Sequence, residues 1–521
     1  MKNVKKILSI SLVAVMAVSM FTGCGDDTAT SGERKLTYWL GNSVSSAVSD
    51  YNDAVALQKM QESIGIEVEF IHPSSALWEE QFNIMLASGD LTDIIQYNWG
   101  TKYNGGYDGA LNDGLIVDLS DKLDKMPNFK KILEENPDYD KTIRTTDGKL
   151  LYVASFNNDL VINSSMGPMI RKDWLDKLGL EVPETISDWY TVLKAFKEKD
   201  PNGNGQADEI PFASYKSPAF NWFAAAYGTK KGDVYVKNGK VVYGTTQPEF
   251  KEFITEMAKW YKEGLIDNEF AALEKSVMDA NMTNDFSGAT IAYVGGSMGA
   301  YLSAKKDDPN YNLVAAPWPA KTAGAPNYIG TQLNRKGGGD VGSVITTKCK
   351  DIDLALEFID YSFGEEATDF QNWGVEGETY TVENGEKKFT DFIMKNPEGK
   401  SPTQAINPIA FTAYGTPPRV VDGAAYSQIQ YSMPQQAEAS VLWSKGDDSL
   451  MTDLWPMTAE EKERVSAIKT EMTAYEDEMY TKMVMGIEPV EKFEQFVAEM
   501  EKFGVKELES LYQTAYDRFM K

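Results

Sequence analysis

The chain has 521 residues, with 78 Asp and Glu against 51 Lys and Arg, a formal net charge of -27 and a pI near 4.6. Such acidity argues against nucleic acid as a partner, because neutralising phosphates requires clustered Lys and Arg. A single His excludes a His-rich catalytic zinc site and leaves few options for a Ser-His-Asp triad. Aromatic residues make up 12% of the chain, a surplus that suits the binding of flat ligands.

The amino terminus has the pattern of an export signal. Three Lys residues precede an apolar run over residues 7–20, which is too short for a comfortable membrane span. The run ends in Phe-Thr-Gly-Cys, which is similar to the lipobox of bacterial lipoproteins. We expect residues 1–23 to be a cleaved signal peptide, Cys24 to be lipidated (palmitate included), and residues 24–33 to be a polar tether. The alternative is an ordinary cleavable signal with an incidental Cys.

After the tether, the pattern predicts alternating strands and helices. Strands are expected over residues 33–40, 66–71 and 93–97, and amphipathic helices over residues 54–64 and 78–86. This order is typical of a mostly parallel sheet covered by helices. Ligands of such sheets bind beyond the carboxyl ends of the strands, where Trp39 and residues 97–99 lie.

A second α/β region follows residues 149–154. Its predicted helices are one closed by Gly179, one opened by a capping box at Thr185 and ending near Lys197, and one over residues 248–264. A strand followed by a Gly-rich turn occupies residues 291–299, and long helices are expected over residues 458–485 and 489–519, broken at Gly486. Residues 390–455 have weak periodicity and receive no assignment.

The sharpest local pattern is a calcium-type loop over residues 200–211. Oxygen-bearing side chains at positions 1, 3, 5 and 9, with Gly at position 6, follow the spacing that directs oxygen ligands inward around calcium. The predicted ligands are Asp200, Asn202, Asn204, the carbonyl of Gln206, Asp208 and Glu209. Pro211 at position 12 departs from an EF-hand, and Glu209 is the expected substitute. The alternative is an Asn- and Gly-rich turn without a metal.

The loop, the lipobox and the chain length together resemble the extracellular solute-binding proteins (family 1) of sugar ABC importers. The subgroup with LplA/LipO-type lipoproteins and alginate-binding proteins is most similar, and residues 371–380 and 512–517 also fit it. The resemblance implies a two-domain, type II periplasmic-binding-protein-like α/β fold, with mostly parallel sheets flanked by helices, a helical C-terminal region and structural calcium. We assign residues 34–155 plus 289–350 to an N-terminal lobe, and residues 156–288 plus 351–521 to a C-terminal lobe.

Aromatic and amide side chains are the candidate ligand-binding residues. A pyranose ring has an apolar face that stacks on Trp or Tyr, and hydroxyls that need polar partners. The candidates are Trp39, Asn42, Tyr97, Asn98, Trp99, Trp222, Asn372 and Trp373. The alternative for each aromatic residue is core packing.

Two single reactive side chains have simple expected roles. Cys349 follows an apolar run and is expected to be a buried thiol at the end of a strand. His72 follows a strand and precedes Pro73, so an exposed position in a turn is expected. Neither residue suggests catalysis, and no catalytic residue is predicted.

The sequence therefore predicts a membrane-anchored extracellular receptor, not an enzyme. It would capture an oligosaccharide between two domains and deliver it to the permease of an ABC transporter, as a monomer without nucleic acid. Two alternatives stay open: a secreted glycoside-processing enzyme that uses a carboxylate pair, and a receptor for peptides or amino acids. Neutral and uronate-containing oligosaccharides also both stay open.

Overall fold

The computed structural model describes the chain in eight stretches. These are residues 34–41, 50–73, 77–157, 159–330, 341–411, 417–431, 433–452 and 455–521. The predicted signal peptide, Cys24, the tether and the candidate ligand residue Asn42 lie outside the described residues. Within these stretches, no helix combines the length and the apolar character needed to cross a membrane.

Strands and helices alternate along most of the described chain. The strands are β1 Lys35–Leu40, β2 Glu67–Ile71, β3 Ile94–Tyr97, β4 Met166–Arg171, β5 Ile210–Phe212, β6 Val234–Lys237, β7 Lys240–Tyr243, β8 Ser287–Tyr293, β9 Leu313–Ala315, β10 Gly342–Ile345, β11 Tyr380–Glu383 and β12 Glu386–Phe389. The helices are α1 Val55–Ile64, α2 Trp78–Ser88, α3 Trp99–Lys102, α4 Gly106–Asn112, α5 Pro127–Glu135, α6 Pro137–Ile143, α7 Leu160–Asn163, α8 Lys172–Leu178, α9 Ile186–Glu198, α10 Pro248–Lys262, α11 Lys275–Thr283, α12 Ala300–Ala304, α13 Ile352–Tyr361, α14 Glu365–Asn372, α15 Asp391–Met394, α16 Pro402–Ile406, α17 Gly423–Gln430, α18 Pro434–Trp443, α19 Ala459–Val484, α20 Phe493–Lys502 and α21 Val505–Phe519.

The first sheet has the strand order β10-β3-β1-β2. β1 is parallel to β2 and β3, with Trp39 opposite Ile71 and Ile95, while β10 is antiparallel to β3. In β2, buried Val68 and Phe70 alternate with exposed residues, because one face of this edge strand packs on the core. β3 is central and buried throughout. The first three predicted strands and their parallel arrangement are confirmed.

The second sheet has the strand order β5-β8-β4-β9 and is mixed. β5 is parallel to β8, whereas β4 is antiparallel to both β8 and β9. The α/β class is confirmed, but mostly parallel pairing is found only in the first sheet. Because β5 and β8 are parallel, their carboxyl ends lie at the same edge, where ligands of open sheets bind.

Local sequence signals locate several helices well. α9 begins with the predicted capping box, in which Thr185 Oγ1 accepts from the Asp188 N–H and the Asp188 carboxylate accepts from the Thr185 N–H. α1 ends at Gly65, whose φ of 63° is a conformation that favours glycine. α8 ends at Gly179 in the same way.

Sheet membership departs from the expected lobe partition. Of the described strands within residues 289–350, β10 pairs in the first sheet, while β9 and most of β8 pair in the second. α13 packs on the core of the first sheet through Leu354 and Phe358, although its residues were assigned to the other lobe. The strands β8 and β10 are both almost fully buried, so their local sequences do not distinguish between the two sheets.

The stretch without a sequence assignment contributes to a third, smaller core. Trp373, Tyr380, Phe389 and Ile406 pack together there, between the hairpin β11–β12 and the helices α15 to α17. Short helices with few apolar residues leave little periodicity in the sequence, which explains why residues 390–455 could not be assigned.

The C-terminal region is helical, as predicted. α19 covers most of residues 458–485, and Gly486 ends it with a φ of 71°. The second predicted helix is two helices, α20 and α21, because the chain bends at Gly504, where φ is 101°. α19 packs its apolar face on the core of the second sheet.

Candidate functional site

A cavity of about 1180 Å³ lies between residues 100–106 on one side and the first half of α19 on the other. Residues 100–106 directly follow Trp99, at the carboxyl end of the parallel strand β3, the edge at which open α/β sheets bind ligands. Trp99 belongs to the core of the first sheet, and Val465 of α19 belongs to the core of the second. We call this cavity the cleft, because it separates elements of the two cores.

One face of α19 forms a polar wall of the cleft. The cleft-lining residues that share this face recur at helical spacing and are Ala459, Lys462, Ser466, Lys469 and Thr473. Ile468 and Met472 are buried on the other side of the helix. The amphipathic sequence of α19 therefore fixes which side chains enter the cleft.

The start of α19 is held by two neighbouring elements. Thr458 and Glu461 form a capping box, and Arg518 of α21 donates to Glu461 Oε1 at 2.7 Å. Burial alone would raise the pKa of Glu461, but hydrogen bonds from Arg518 and from the backbone of Thr458 lower it overall. These contacts place the beginning of the polar wall.

Three half-buried aromatic rings line the cleft: Tyr103, Trp455 and Tyr512. The Trp455 ring lies 6.4 Å from the ring of Tyr512, and Tyr103 donates its hydroxyl to Asp113 at 2.6 Å. Rings that are anchored at one edge and partly exposed can stack on a flat ligand. Trp455 and Tyr103 were missed in the sequence, since the first lies in the unassigned stretch and the second among glycines.

Charged side chains of both signs line the cleft. Lys102 pairs with Glu79 at 2.6 Å, and Asp233 pairs with Lys230 at 2.8 Å. Lys462 and Lys469 form no ion pair within the described stretches. With the rings and hydroxyls, this wall supplies donors, acceptors and apolar faces together, the combination that a polyhydroxylated ring needs.

A smaller cavity of about 130 Å³ adjoins the cleft, and we call it the side cavity. Tyr107, Asp108 and Tyr152 line it, and it shares Trp455 and Lys462 with the cleft. The rings of Tyr107 and Tyr152 are stacked, with centroids 4.0 Å apart. The stack forms a flat wall next to the shared residues.

The predicted ligand residues of the first sheet lie in its core. Trp39 and Tyr97 are each 4% exposed, and their rings meet edge to face at 5.5 Å. Phe82 of α2 packs against Trp39, Tyr97 and Trp99. Because Phe82 packs against all three rings, no ring face is free for a sugar in this conformation, and their role in ligand binding stays a prediction.

Asn372 and Trp373 bond to other parts of the protein, and their role in ligand binding stays a prediction. The Asn372 side chain donates to the carbonyl of Val420 at 2.9 Å and accepts from the Asp422 N–H at 3.0 Å. The Trp373 indole donates to Asp422 Oδ2 at 2.7 Å, and the ring lies inside the third core. Both side chains are fully engaged by the protein, so they hold residues 420–422 in place.

Asn98 and Trp222 are half-buried, and their role in ligand binding stays a prediction. Asn98 immediately precedes α3 and the cleft wall, and Trp222 packs on the second core. Tyr293, which is not among the candidates from the sequence, is 57% exposed at the carboxyl end of β8. The π-helical turn Val294–Gly299 follows it, where the sequence predicted a Gly-rich turn.

The predicted calcium loop folds around its own oxygen atoms. The Asp200 carboxylate accepts from the N–H groups of Gly203 and Gly205 at 2.8 and 3.0 Å. Asn202 and Asn204 both reach Asp208, at 3.1 and 3.0 Å. Gly203 and Gly205 both have a φ of 77°, which permits the tight turn. The side chains of Asp200, Asn202, Asn204 and Asp208 are thus held by hydrogen bonds within the loop.

The loop contains a buried carboxylate, that of Glu209, which a turn without a metal would not require. Its side chain is 2% exposed, and neither carboxylate oxygen has a hydrogen-bond partner. Burial is the main cause that raises its pKa, with Asp200 and Asp208 adding to it. No cluster of three or more His, Cys, Asp or Glu suited to a metal occurs in the part of the chain that the structure describes. The loop reaches its oxygen count only with the amides of Asn202 and Asn204 and the carbonyl of Gln206, and an orphaned buried carboxylate fits a cation there.

The structure confirms the expected position of Cys349 but not that of His72. Cys349 is buried and free, which confirms its predicted burial, and burial raises the pKa of its thiol to about 12. The expectation for His72 was wrong, because its side chain is only 13% exposed. His72 Nε2 accepts from the Tyr51 N–H at 3.2 Å, so the ring is part of the packing beside Tyr51.

Comparison with known proteins gives a consistent picture. A family model described as bacterial extracellular solute-binding protein matches residues 48–369. The fructooligosaccharide ABC transporter substrate-binding protein FusA of Streptococcus pneumoniae serotype 4 is 27% identical over 520 aligned residues, which cover 94% of this chain and 91% of FusA. Lipoprotein LipO of Bacillus subtilis (strain 168) is 27% identical over 400 residues, 71% of this chain and 73% of LipO.

The fold is shared with solved structures of the same kind. The alginate-binding protein AlgQ2, solved without calcium ion, superposes with a TM-score of 0.71 at 25% identity, over 94% of this chain and 99% of AlgQ2. A FusA EF-hand mutant in complex with fructo-nystose gives a TM-score of 0.69 at 24% identity, over 93% of this chain and 99% of that one. The expected type II periplasmic-binding-protein fold is confirmed by this likeness.

Proposed function

The chain belongs to the bacterial extracellular solute-binding proteins, and from this membership and the cleft we propose that it captures an oligosaccharide and delivers it to the permease of an ABC importer. FusA, similar over almost the whole chain, is a fructooligosaccharide-binding component of such a transporter. The relatives are binding proteins and not enzymes, which favours the receptor over the glycoside-processing alternative.

The observation that carries this proposal is the cleft. Its volume of about 1180 Å³ exceeds the range usual for small-molecule pockets, which suits a ligand of several sugar rings. Tyr103, Trp455 and Tyr512 offer ring faces, while Lys462, Lys469 and the hydroxyls of α19 offer hydrogen bonds. One chain supplies every wall of the cleft, so a monomer suffices for binding.

Binding is expected to close the cleft. Residues 100–106 and α19 belong to elements with separate cores, so their distance can change without breaking either core. A sugar that contacts both walls stabilises the closed form, and the permease would distinguish that form from the open one.

Attachment to the outer face of the membrane is the next part of the proposal. Cys24 ends an export-signal pattern and is followed by a polar tether. Similarity to the lipoprotein LipO supports lipidation at this residue. Mass spectrometry of the amino-terminal peptide from membranes would test it, because a Cys24→Ala change should abolish acylation and release the protein.

We also propose that the loop over residues 200–209 holds a structural calcium ion. The orphaned Glu209 carboxylate and the convergent oxygens of Asp200, Asn202, Asn204 and Asp208 support it, with the Gln206 carbonyl as a further ligand. The amides of the two Asn residues would rotate to present oxygen instead of N–H to the ion. Calcium would neutralise the negative charges of Asp200, Asp208 and Glu209 and so stabilise the loop.

Calorimetric titration with oligosaccharides tests the receptor proposal. Kestose, maltotriose, raffinose and trigalacturonate should be titrated into the purified protein, and the sugar recovered afterwards by chromatography. A receptor binds at least one of them and returns it intact. Hydrolysis of a bound sugar, abolished by replacing one carboxylate, would support the enzyme instead.

A further inference from the structure

Asp108 on α4 has no partner that explains its position. The carboxylate is half-buried, and no described residue donates a hydrogen bond to it or forms an ion pair with it. Burial is the main cause that raises its pKa, and nearby Asp147 acts in the same direction. Burying part of a carboxylate without hydrogen-bond donors costs free energy of folding. A ligand that donates a hydrogen bond to Asp108 would offset this cost.

Lys462 supplies the opposite half of such a site. Its side chain lines both the cleft and the side cavity, and its ammonium lies 3.5 Å from the position that a Cβ on Gly106 would occupy. The charge of Lys462 favours the ionised form of Asp108, yet the two groups form no ion pair. The Asp108 carboxylate, an acceptor, and the Lys462 ammonium, a donor, therefore lie near each other without a hydrogen bond between them.

The shape of the side cavity limits what can enter. Tyr107 and Tyr152 close one side with a stack whose planes differ by 9°. Its volume of about 130 Å³ is small beside the 1180 Å³ of the cleft. The difference in size suits a single sugar residue that reaches in from the cleft.

We propose that the side cavity is a subsite for one sugar residue of the captured oligosaccharide, in which Asp108 accepts from one ring hydroxyl and Lys462 donates to its neighbour. The inference rests on the proposed receptor function and goes beyond it by naming the group that the ligand must carry. A pair of adjacent hydroxyls can donate and accept at the same time, which matches these two side chains. The sugar residue lies at the junction with the cleft, beside Trp455.

The chemistry also selects against acidic sugars at this position. At the contact with Asp108, a hydroxyl can donate to the carboxylate, whereas a uronate or sulfate group cannot donate and would be repelled. Arg144 and Lys462 also line the side cavity, and Lys149 acts on Asp108, so the preference for a neutral group belongs to the Asp108 contact and not to the whole cavity. The edge that meets Asp108 is therefore neutral, and it carries two neighbouring free hydroxyls. Chain length and the sugars in the rest of the cleft are not limited by this subsite.

Titration of Asp108→Asn and Lys462→Met variants tests the subsite. The probes are kestose, maltotriose, raffinose and trigalacturonate, and Asp124→Asn is the control, because Asp124 is exposed and pairs with Lys130 on the surface. The affinity for the neutral trisaccharide that binds best should fall about tenfold or more in each variant, as expected for a lost hydrogen bond to a charged group. The control should stay within about twofold of wild type.

A stability measurement separates binding from a structural role. Asp108→Asn should not lower the melting temperature of the free protein, because it removes a carboxylate that the protein leaves unsatisfied. A loss of stability together with affinity would assign Asp108 to the fold and overturn the inference.

The remaining outcomes distinguish the inference from the receptor proposal. Neutral binding that is unchanged in both variants, or binding of trigalacturonate alone, overturns the subsite and leaves the receptor function standing. If none of the four sugars binds, the receptor proposal fails for these ligands and the subsite fails with it.

Discussion

Gly342 lies directly under the ring of Tyr152. A Cβ at this glycine would stand 2.2 Å from Tyr152 Cδ2 and 2.7 Å from the Tyr107 hydroxyl, closer than real side chains approach. β10 can therefore carry only glycine where it passes the stacked tyrosines, and the strand itself supports the wall of the side cavity.

Gly342→Ala should destabilise the fold by about 1–3 kcal/mol, the usual cost of overpacking, because the tyrosine stack must move. Urea unfolding measures the change. Gly296→Ala is the matched control, since a Cβ there would have open space within 4 Å. Equal stability of the two variants would show that the stacked rings of Tyr107 and Tyr152 can move at no cost in folding free energy.

Trp455→Ala should weaken oligosaccharide binding by about tenfold or more, because it removes the largest partly exposed ring of the cleft. Calorimetric titration with the best ligand of the panel measures the effect. Phe392→Ala serves as the control, since Phe392 is 50% exposed outside the residues that line the cleft. Unchanged affinity in Trp455→Ala would place the sugar elsewhere.

Glu209→Gln should have opposite effects with and without calcium. In a calcium-free buffer it should raise the melting temperature or leave it unchanged, because it removes a buried charge without hydrogen-bond partners. In calcium it should reduce the stabilisation that wild type gains from the ion. Thermal scans of wild type and variant, each with calcium and with a chelator, provide the four melting temperatures. Identical responses of wild type and variant to calcium would contradict a metal in this loop.

The pair of Glu461 and Arg518 should make stability depend on pH in the acidic range. The folded protein holds the pKa of Glu461 below its usual value, so the unfolded chain binds the proton more readily. The contribution of the pair is thus complete above the unfolded pKa of about 4.3 and is lost as pH falls through the lower folded pKa. Arg518→Met should reduce stability at pH 7 and lose that deficit at low pH, as followed by urea unfolding at each pH. A deficit of the same size at both pH values would mean that Arg518 acts by packing alone.

Cys349 should resist alkylation in the folded protein. Burial raises the pKa of its thiol to about 12, so almost no thiolate forms at pH 8, and the side chain is nearly inaccessible. Iodoacetamide labelling followed by mass spectrometry should show modification only in denaturant. Rapid labelling under native conditions would contradict the burial of the strand end.

The sequence predicted what depends on neighbours along the chain. Strand β2, the capping box at Thr185 and the ends of α1 and α8 follow from side-chain periodicity and from residues within one helical turn. The turn over residues 200–209 belongs to the same class, because its hydrogen bonds join residues of one continuous segment. The calcium ion in this loop stays a prediction.

Tertiary structure decided which aromatic rings are covered and which are free. Trp99 and Trp455 are equally suited to stack on a sugar by residue type, yet Phe82 covers the first and the second stays half-exposed in the cleft. In the same way, Asn372 is occupied by residues 420 and 422, which no local pattern connects to it.

The single His and the many aromatic residues of this chain thus differ in what is needed to interpret them. The first is interpreted from the sequence, and the second only from the folded structure. The single His is a property of composition, and the limit that it sets on histidine-based catalysis is visible in the sequence alone. The cleft depends on residues 100–106 meeting α19, and the side cavity depends on Asp108 lying near Lys462. Such contacts between distant segments are set by the packing of two cores, so only the folded chain reveals them.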